Sequence, residues 1–247
     1  MINIKSTSEI AKMRAAGKIV SGTFKELEKH IKPGITTKEL DKIAFDYIKS
    51  QGAEPSFLGY CGYPASICAS VNDTVIHGIP DATVLKEGDI ISIDVGAYID
   101  GFHGDAARTF PVGRVSDEAM RLIKVTKESF FEGIKYAKHG GKLGDISAAI
   151  QEHVEKNGFS VVRDLVGHGI GKNLHEDPNV PNFGKAGKGV KLAAGMTLAI
   201  EPMVNAGEYD VCVLEDDWTV VTEDGSLSAH YENTILITKD GCEILTL

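Results

Sequence analysis

Apolar residues recur every three to four positions through Ile10, Met13, Gly17, Val20, Phe24, Leu27 and Ile31, the period of one helix face. Ser6 and Glu9 stand three apart at its start, the spelling of a capping box, and Pro33-Gly34 follows its end. Thr36 and Glu39 repeat the capping spelling, which predicts a second helix with Leu40, Ile43, Tyr47 and Ile48 inward, ending near Gly52. The pattern turns strand-like over 64–71 and 89–110. Helices are predicted from Ser116 to Lys138 and from Asp145 to Asn157, and strands at 159–163, 196–204, 218–222, 231–238 and 242–246. The Gly-rich segment 164–195 lies between strands and reads as a functional loop. No linker interrupts the series, so residues 1–247 read as one domain.

The order helix–helix–strands occurs twice, which suggests an internal repeat. A shift of 106 residues lays Lys32-Pro33-Gly34 on Lys138-His139-Gly140, Glu39-Leu40 on Asp145-Ile146, and Gly52 on Gly158. Two unrelated amphipathic helices also produce such matches. If the repeat is real, two similar halves face each other with a site between them.

Composition narrows the classes of function. The chain holds 26 Lys+Arg against 35 Asp+Glu, a net charge of −9, which argues against nucleic acid or an anionic membrane as the main partner. Cys61, Cys68, Cys212 and Cys242 form no CxxC pair, so neither a zinc ribbon nor a thioredoxin-like motif is expected. No signal-type or membrane-length apolar run is present, and a reducing, cytoplasmic setting is expected.

Some of the surplus acid sits where surface acid does not belong. Asp94 interrupts Ile90-Ile91-Ser92-Ile93, and Asp100-Gly101 ahead of Asp105 is a hairpin turn signal. A two-residue loop there sets Asp94 opposite Ala107 and Asp105 opposite Gly96. The two carboxylates then lie on one sheet face, with Cα atoms roughly 7–8 Å apart. That face also carries Ser92, Tyr98 and His103 and reads equally as a solvated polar face. His168 stands between glycines, and Glu201 and Glu232 sit in apolar strands. Taken singly, these are a structural histidine and two edge salt bridges. Taken together, four carboxylates and one imidazole balance two divalent cations, and the oxygen-rich set favours Mn, Fe or Co over a structural zinc. Two such cations hold a water and lower its pKa, which is a hydrolase site.

The ordered motifs Val71-Asn72-Asp73-Thr74-Val75-Ile76-His77-Gly78-Ile79-Pro80, Ile93-Asp94-Val95-Gly96, Asp100-Gly101-Phe102-His103-Gly104-Asp105, Gly167-His168-Gly169-Ile170-Gly171, Leu174-His175-Glu176-Asp177-Pro178, Thr197-Leu198-Ala199-Ile200-Glu201-Pro202 and Ser226-Leu227-Ser228-Ala229-His230-Tyr231-Glu232 resemble those of bacterial type I methionine aminopeptidases over essentially the full length. The resemblance implies an α+β pita-bread fold, two pseudo-symmetric halves around a central antiparallel β-sheet flanked by helices. It implies a dinuclear centre on Asp94, Asp105, His168, Glu201 and Glu232, with Asp105 and Glu232 bridging and Glu201 also the general base for an attacking hydroxide. His77 and His175 are implied as catalytic imidazoles that also bind substrate. Phe57, Tyr60, Tyr63, Cys68, Leu174 and Trp218 are implied as the methionine slot, with Leu174 standing where Phe is common.

The same resemblance implies two divalent metal ions per subunit (Co, Mn or Fe(II), with Zn as an alternative) and one monovalent cation, Na or K, near the carbonyls of Asn72, Thr74 and Ser228. The implied reaction is removal of the initiator methionine from nascent polypeptide N-termini when the second residue is small, by a monomer in transient contact with the ribosome. Prolidases share the fold but usually carry a large additional N-terminal domain. Type II methionine aminopeptidases carry an insertion for which the 25 residues between His175 and Glu201 leave no room.

Overall fold

A computed structural model describes residues 2–247. Helix α1 (Thr7–Leu27) opens on the expected capping box: the Ser6 hydroxyl accepts from the Glu9 amide, and the Glu9 carboxylate accepts from the Ser6 amide at 2.9 Å. It ends before Pro33 because the Lys29 and His30 amides tighten onto Glu26 and Leu27, while Ile31 still packs against the core from outside the helix. Helix α2 (Thr37–Ser50) is capped in the same way by Thr36 and Glu39. Helix α3 (Asp117–Ile134) stops four residues short of the predicted Lys138, where the Tyr136 and Ala137 amides close a turn onto Gly133 and Ile134. Helix α4 (Leu143–Lys156) completes the set.

Among the described residues, fifteen strands connect these helices. The first half of the chain holds β1 (Glu54–Pro55), β2 (Ile67–Val71), β3 (Thr74–Ile76), β4 (Ile90–Ile99) and β5 (Phe102–Pro111). The second holds β6 (Ser160–Val161), β7 (Gly167–Gly169), β8 (Glu176–Val180), β9 (Thr197–Ile200), β10 (Met203–Asn205), β11 (Val211–Val213), β12 (Val220–Thr222), β13 (Ser228–His230), β14 (Asn233–Ile237) and β15 (Cys242–Ile244). The 106-residue repeat is real. Helices α2 and α4 are both 14 residues long and start at residues 37 and 143. Strands β1 and β6 start at 54 and 160. Matching antiparallel bridges, Thr36 to Val84 and Lys142 to Lys191, precede the two helices.

Each half has one main sheet, and two three-stranded sheets, β13-β10-β6 and β11-β12-β3, lie beside them. The first main sheet runs β1-β4-β2 with β5 on β4, and the second runs β15-β14-β9-β7-β8. The two main sheets meet where β5 lies along the segment leading into β14. The Glu232 amide donates to Ala107 O at 2.9 Å. The Thr234 hydroxyl accepts from the Asp105 amide and donates to its carbonyl. The Thr109 hydroxyl does the same for His230 on the other side. Threonine hydroxyls thus extend, on both sides, the backbone pairing of Ala107 with Glu232 across the midline. The architecture is the expected pair of pseudo-symmetric halves around antiparallel sheet, with helices outside.

Two expectations change. The segment 164–195 is more than a loop, since it contains β7 and β8. Its glycines disguise a strand but permit it: a Cβ on Gly167 would meet Ala199 O at 2.4 Å, and one on Gly169 would meet Asp177 O at 2.2 Å. The run 196–204 is broken at Glu201-Pro202, where proline has no amide to donate, and its two parts, β9 and β10, join different sheets.

Candidate metal centre

The β4–β5 hairpin has the predicted register, Asp94 opposite Ala107 and Gly96 opposite Asp105. Its face is not a solvated one. Asp105 is 4% exposed, and the Oδ1 atoms of Asp94 and Asp105 are enclosed with no hydrogen-bond partner. His168 comes from β7, Glu201 from the break after β9, and Glu232 from the residue before β14. The His168 Nε2 atom lies 3.8 Å from Asp105 Oδ2 and 3.7 Å from Glu201 Oε1. Donor atoms of Asp105, His168 and Glu232 lie within 4.8 Å of one another.

Among the described residues, neither Lys nor Arg forms an ion pair with any of the four carboxylates. Burial therefore drives their proton affinities up. Asp105 is pushed up to about 7. Asp94, Glu201 and Glu232 rise well above the ordinary carboxylate range through burial and then through the charge of Asp105. Buried charge of this kind requires a compensating cation. Glu232 Oε1 is a third enclosed carboxylate oxygen without a donor. The set fits divalent metal: four negative charges and three orphaned oxygens face one another, and His168 is held neutral by burial, down to about 3, with a lone pair to offer.

A cavity of about 120 Å³ opens over these five side chains, and the structure brings the other eight predicted residues to its wall. Phe57, Tyr63, Cys68, Leu174 and Trp218 form an apolar side, with Tyr63 edge-on to Trp218 at 5.0 Å. The Tyr63 hydroxyl is anchored to the carbonyls of Ile67 and Gly78. Burial, then the charge of Asp94, raises the Cys68 thiol well above its ordinary value, so it stays protonated. His77 lies just beyond β3 with φ +59°, a left-handed conformation that is uncommon outside glycine, and its ring meets Trp218 at 6.2 Å. Burial and the charge of His175 push His77 down to about 4. His175 is likewise lowered by burial, lies tilted against His168 with ring centres 4.2 Å apart, and has its Nδ1 2.7 Å from the Tyr60 hydroxyl. Both imidazoles are neutral at pH 7. For the monovalent cation, Asn72 O accepts from the Ser228 amide at 2.8 Å, so two of its three expected residues touch.

Two residues were not singled out from the sequence. Arg108, half-buried in the seam, donates to the carbonyls of Ala107 and Glu232 and to Asn233 Oδ1 at 2.6 Å, between the rings of Phe24 and Tyr231. His230 places Nε2 3.6 Å from Glu201 Oε2. The signal for His230 was its spacing, two residues before Glu232, which in extended backbone returns a side chain to the same side.

The profile of Metallopeptidase family M24 matches residues 11–239. The methionine aminopeptidase of Clostridium acetobutylicum is 61% identical over 248 aligned residues, covering 100% of this chain and 99% of its own. Methionine aminopeptidase 1 of Bacillus subtilis is 57% identical over 246, with 100% and 99% covered. The crystal structure of methionine aminopeptidase from Rickettsia prowazekii superposes with a TM-score of 0.99 at 47% identity, covering 100% of both chains.

Proposed function

This chain belongs to metallopeptidase family M24, within its methionine aminopeptidases, and on that premise we propose that it removes the initiator methionine from nascent polypeptides whose second residue is small. The observation that carries this reading is the junction of an apolar slot with a floor of four buried, cation-hungry carboxylates.

Asp94, Asp105, His168, Glu201 and Glu232 would hold two divalent ions, Co, Mn or Fe(II), with Zn as an alternative, and Asp105 and Glu232 would be shared between them. Bound there, the ions supply Lewis acidity to the scissile carbonyl and lower the pKa of a water. The chain's own groups do the rest. Phe57, Tyr63, Cys68, Leu174 and Trp218 take the methionine side chain, whose thioether suits thiol and aromatic walls. The free amine lies toward Asp94. Glu201 accepts the proton of the attacking water and returns it to the departing amine. A phenol donates well to an imidazole nitrogen, so Tyr60 donating to Nδ1 leaves the His175 proton on Nε2. That N–H is free to donate to the oxygen that gains charge. His77, edge-on to Trp218 in the same cavity, positions the peptide nitrogen. We further propose a monomer whose contact with the ribosome is only transient, since a net charge of −9 disfavours lasting contact with nucleic acid.

The test uses metal-loaded protein and two peptides. Met-Ala-Ser should be cleaved after methionine and Ala-Pro-Ala left intact. Cleavage of Ala-Pro-Ala alone would replace this specificity with that of a proline peptidase. Asp105→Ala should lose both activity and bound metal, and wild-type turnover in that variant would overturn the site.

A further inference from the structure

His230 stands outside the expected ligand set, yet its position matches that of an expected member. His168 Nε2 lies 3.7 Å from Glu201 Oε1, and His230 Nε2 lies 3.6 Å from Glu201 Oε2. The two imidazoles flank one carboxylate, each facing a different oxygen. Donor atoms of Glu201, His230 and Glu232 form a second group within 4.8 Å of one another, alongside the group of Asp105, His168 and Glu232. Glu232 is common to both.

A separation of 3.6 Å is too long for an N–H···O bond, which closes to about 2.7–3.2 Å. It is close to the spacing of two donors on one cation: bonds of about 2.1 Å diverging by 90–110° put the donor atoms roughly 3.0–3.4 Å apart. His230 is 2% exposed, and its Nε2 is enclosed with no partner, which is costly for a buried polar atom unless something binds it. Its backbone is fixed from both sides, since the Thr109 hydroxyl accepts from the His230 amide and donates to its carbonyl, each at 2.9 Å. A residue so held, with an unsatisfied nitrogen facing two metal-ligand carboxylates, is prepared for a ligand.

We propose that His230 is a sixth protein ligand, giving the dinuclear centre a second imidazole nitrogen from the Glu201–Glu232 side. The inference rests on the reading of this site as a metal centre. It also adds to the metal preference. A second nitrogen donor shifts an oxygen-rich set toward Co, Fe and Zn and away from Mn.

The decisive measurement is X-ray absorption on the Zn(II)- or Co(II)-loaded protein, where imidazoles are counted by multiple scattering. Two imidazoles per dinuclear centre are expected in the wild type and one in His230→Gln. The same variant should bind Co(II) about tenfold more weakly or worse, since losing even an outer partner of a ligand costs that much, and Mn(II) affinity should fall less. An unchanged imidazole count in His230→Gln would overturn the proposal and leave His230 as a packing neighbour of Glu201. Absence of bound metal in the wild type would instead refute the metal-centre reading beneath it. His230→Asn serves as a second variant if His230→Gln does not fold, and His168→Gln, expected to lose the other imidazole, calibrates the count.

Discussion

Replacing Lys5 by Met should destabilise the protein far more than an ordinary lysine substitution. Lys5 Nζ meets Glu176 Oε2 at 2.7 Å, and both side chains are only 5% exposed. Glu176 also accepts from the Asn173 amide and from Asn3 Nδ2, each at 3.2 Å. Burial alone would raise the Glu176 carboxyl, but the hydrogen bonds from Lys5, Asn173 and Asn3 outweigh it and hold the group below its ordinary 4.5. Removing the ammonium leaves a buried carboxylate with weaker partners, a loss of about 3–5 kcal/mol for a broken buried pair. At about 2–4 °C per kcal/mol for a chain of this size, Tm should fall by roughly 6–20 °C. The sign with pH follows from the direction of the shift. Glu176 binds its proton more weakly folded than unfolded, so its contribution is full above pH 4.5 and fades as pH falls through the lowered value. The gap between wild type and Lys5→Met in thermal melts should therefore be wide at pH 7 and narrow toward pH 4. A gap under about 1 kcal/mol at pH 7, the range of an exposed ion pair, would refute the reasoning.

Metal-stripped protein should lose stability as pH rises from about 4 to 7, because Asp105, at about 7, and its neighbours bind protons more tightly folded than unfolded; a divalent cation at a hundred times its Kd should restore about 2.7 kcal/mol at pH 7, read by scanning fluorimetry. His175→Ala should lower kcat by about 10²–10³-fold with metal content unchanged by elemental analysis. Gly169→Ala, whose new Cβ meets Asp177 O at 2.2 Å, should cost about 1–3 kcal/mol in urea unfolding. Arg108→Met should cost about 1–3 kcal/mol or more, because it strands acceptors at the seam; an unchanged urea midpoint would count against its clamping role.

Local chemistry made much of this molecule legible in advance. Asp100-Gly101 set the β4–β5 register to the residue, because a two-residue turn leaves no freedom of pairing. Ser6/Glu9 and Thr36/Glu39 marked helix starts because a cap is a local bond. What stayed hidden was non-local. Nothing within 164–195 says that Gly167 and Gly169 lie under neighbouring carbonyls, so β7 was missed as a strand. Glu201-Pro202 looked continuous because its break depends on two sheets lying apart. The roles assigned to the thirteen site residues came from the family resemblance, and the cavity gathers all thirteen. Arg108 eluded the sequence because its partner Glu232 lies across the seam, and His230 because Glu201, which it faces, is distant in sequence at the break after β9.

The seam has a consequence for how the molecule comes into being. Asp94 and Asp105 belong to the first half, and His168, Glu201 and Glu232 to the second. A chain emerging from its N-terminus folds its first sheet with two aspartates that have nothing to bind. Contacts this distant in sequence form late. A divalent cation held by both sets would act as a rivet between two plates, so its removal should loosen the seam along the Thr109–Thr234 line.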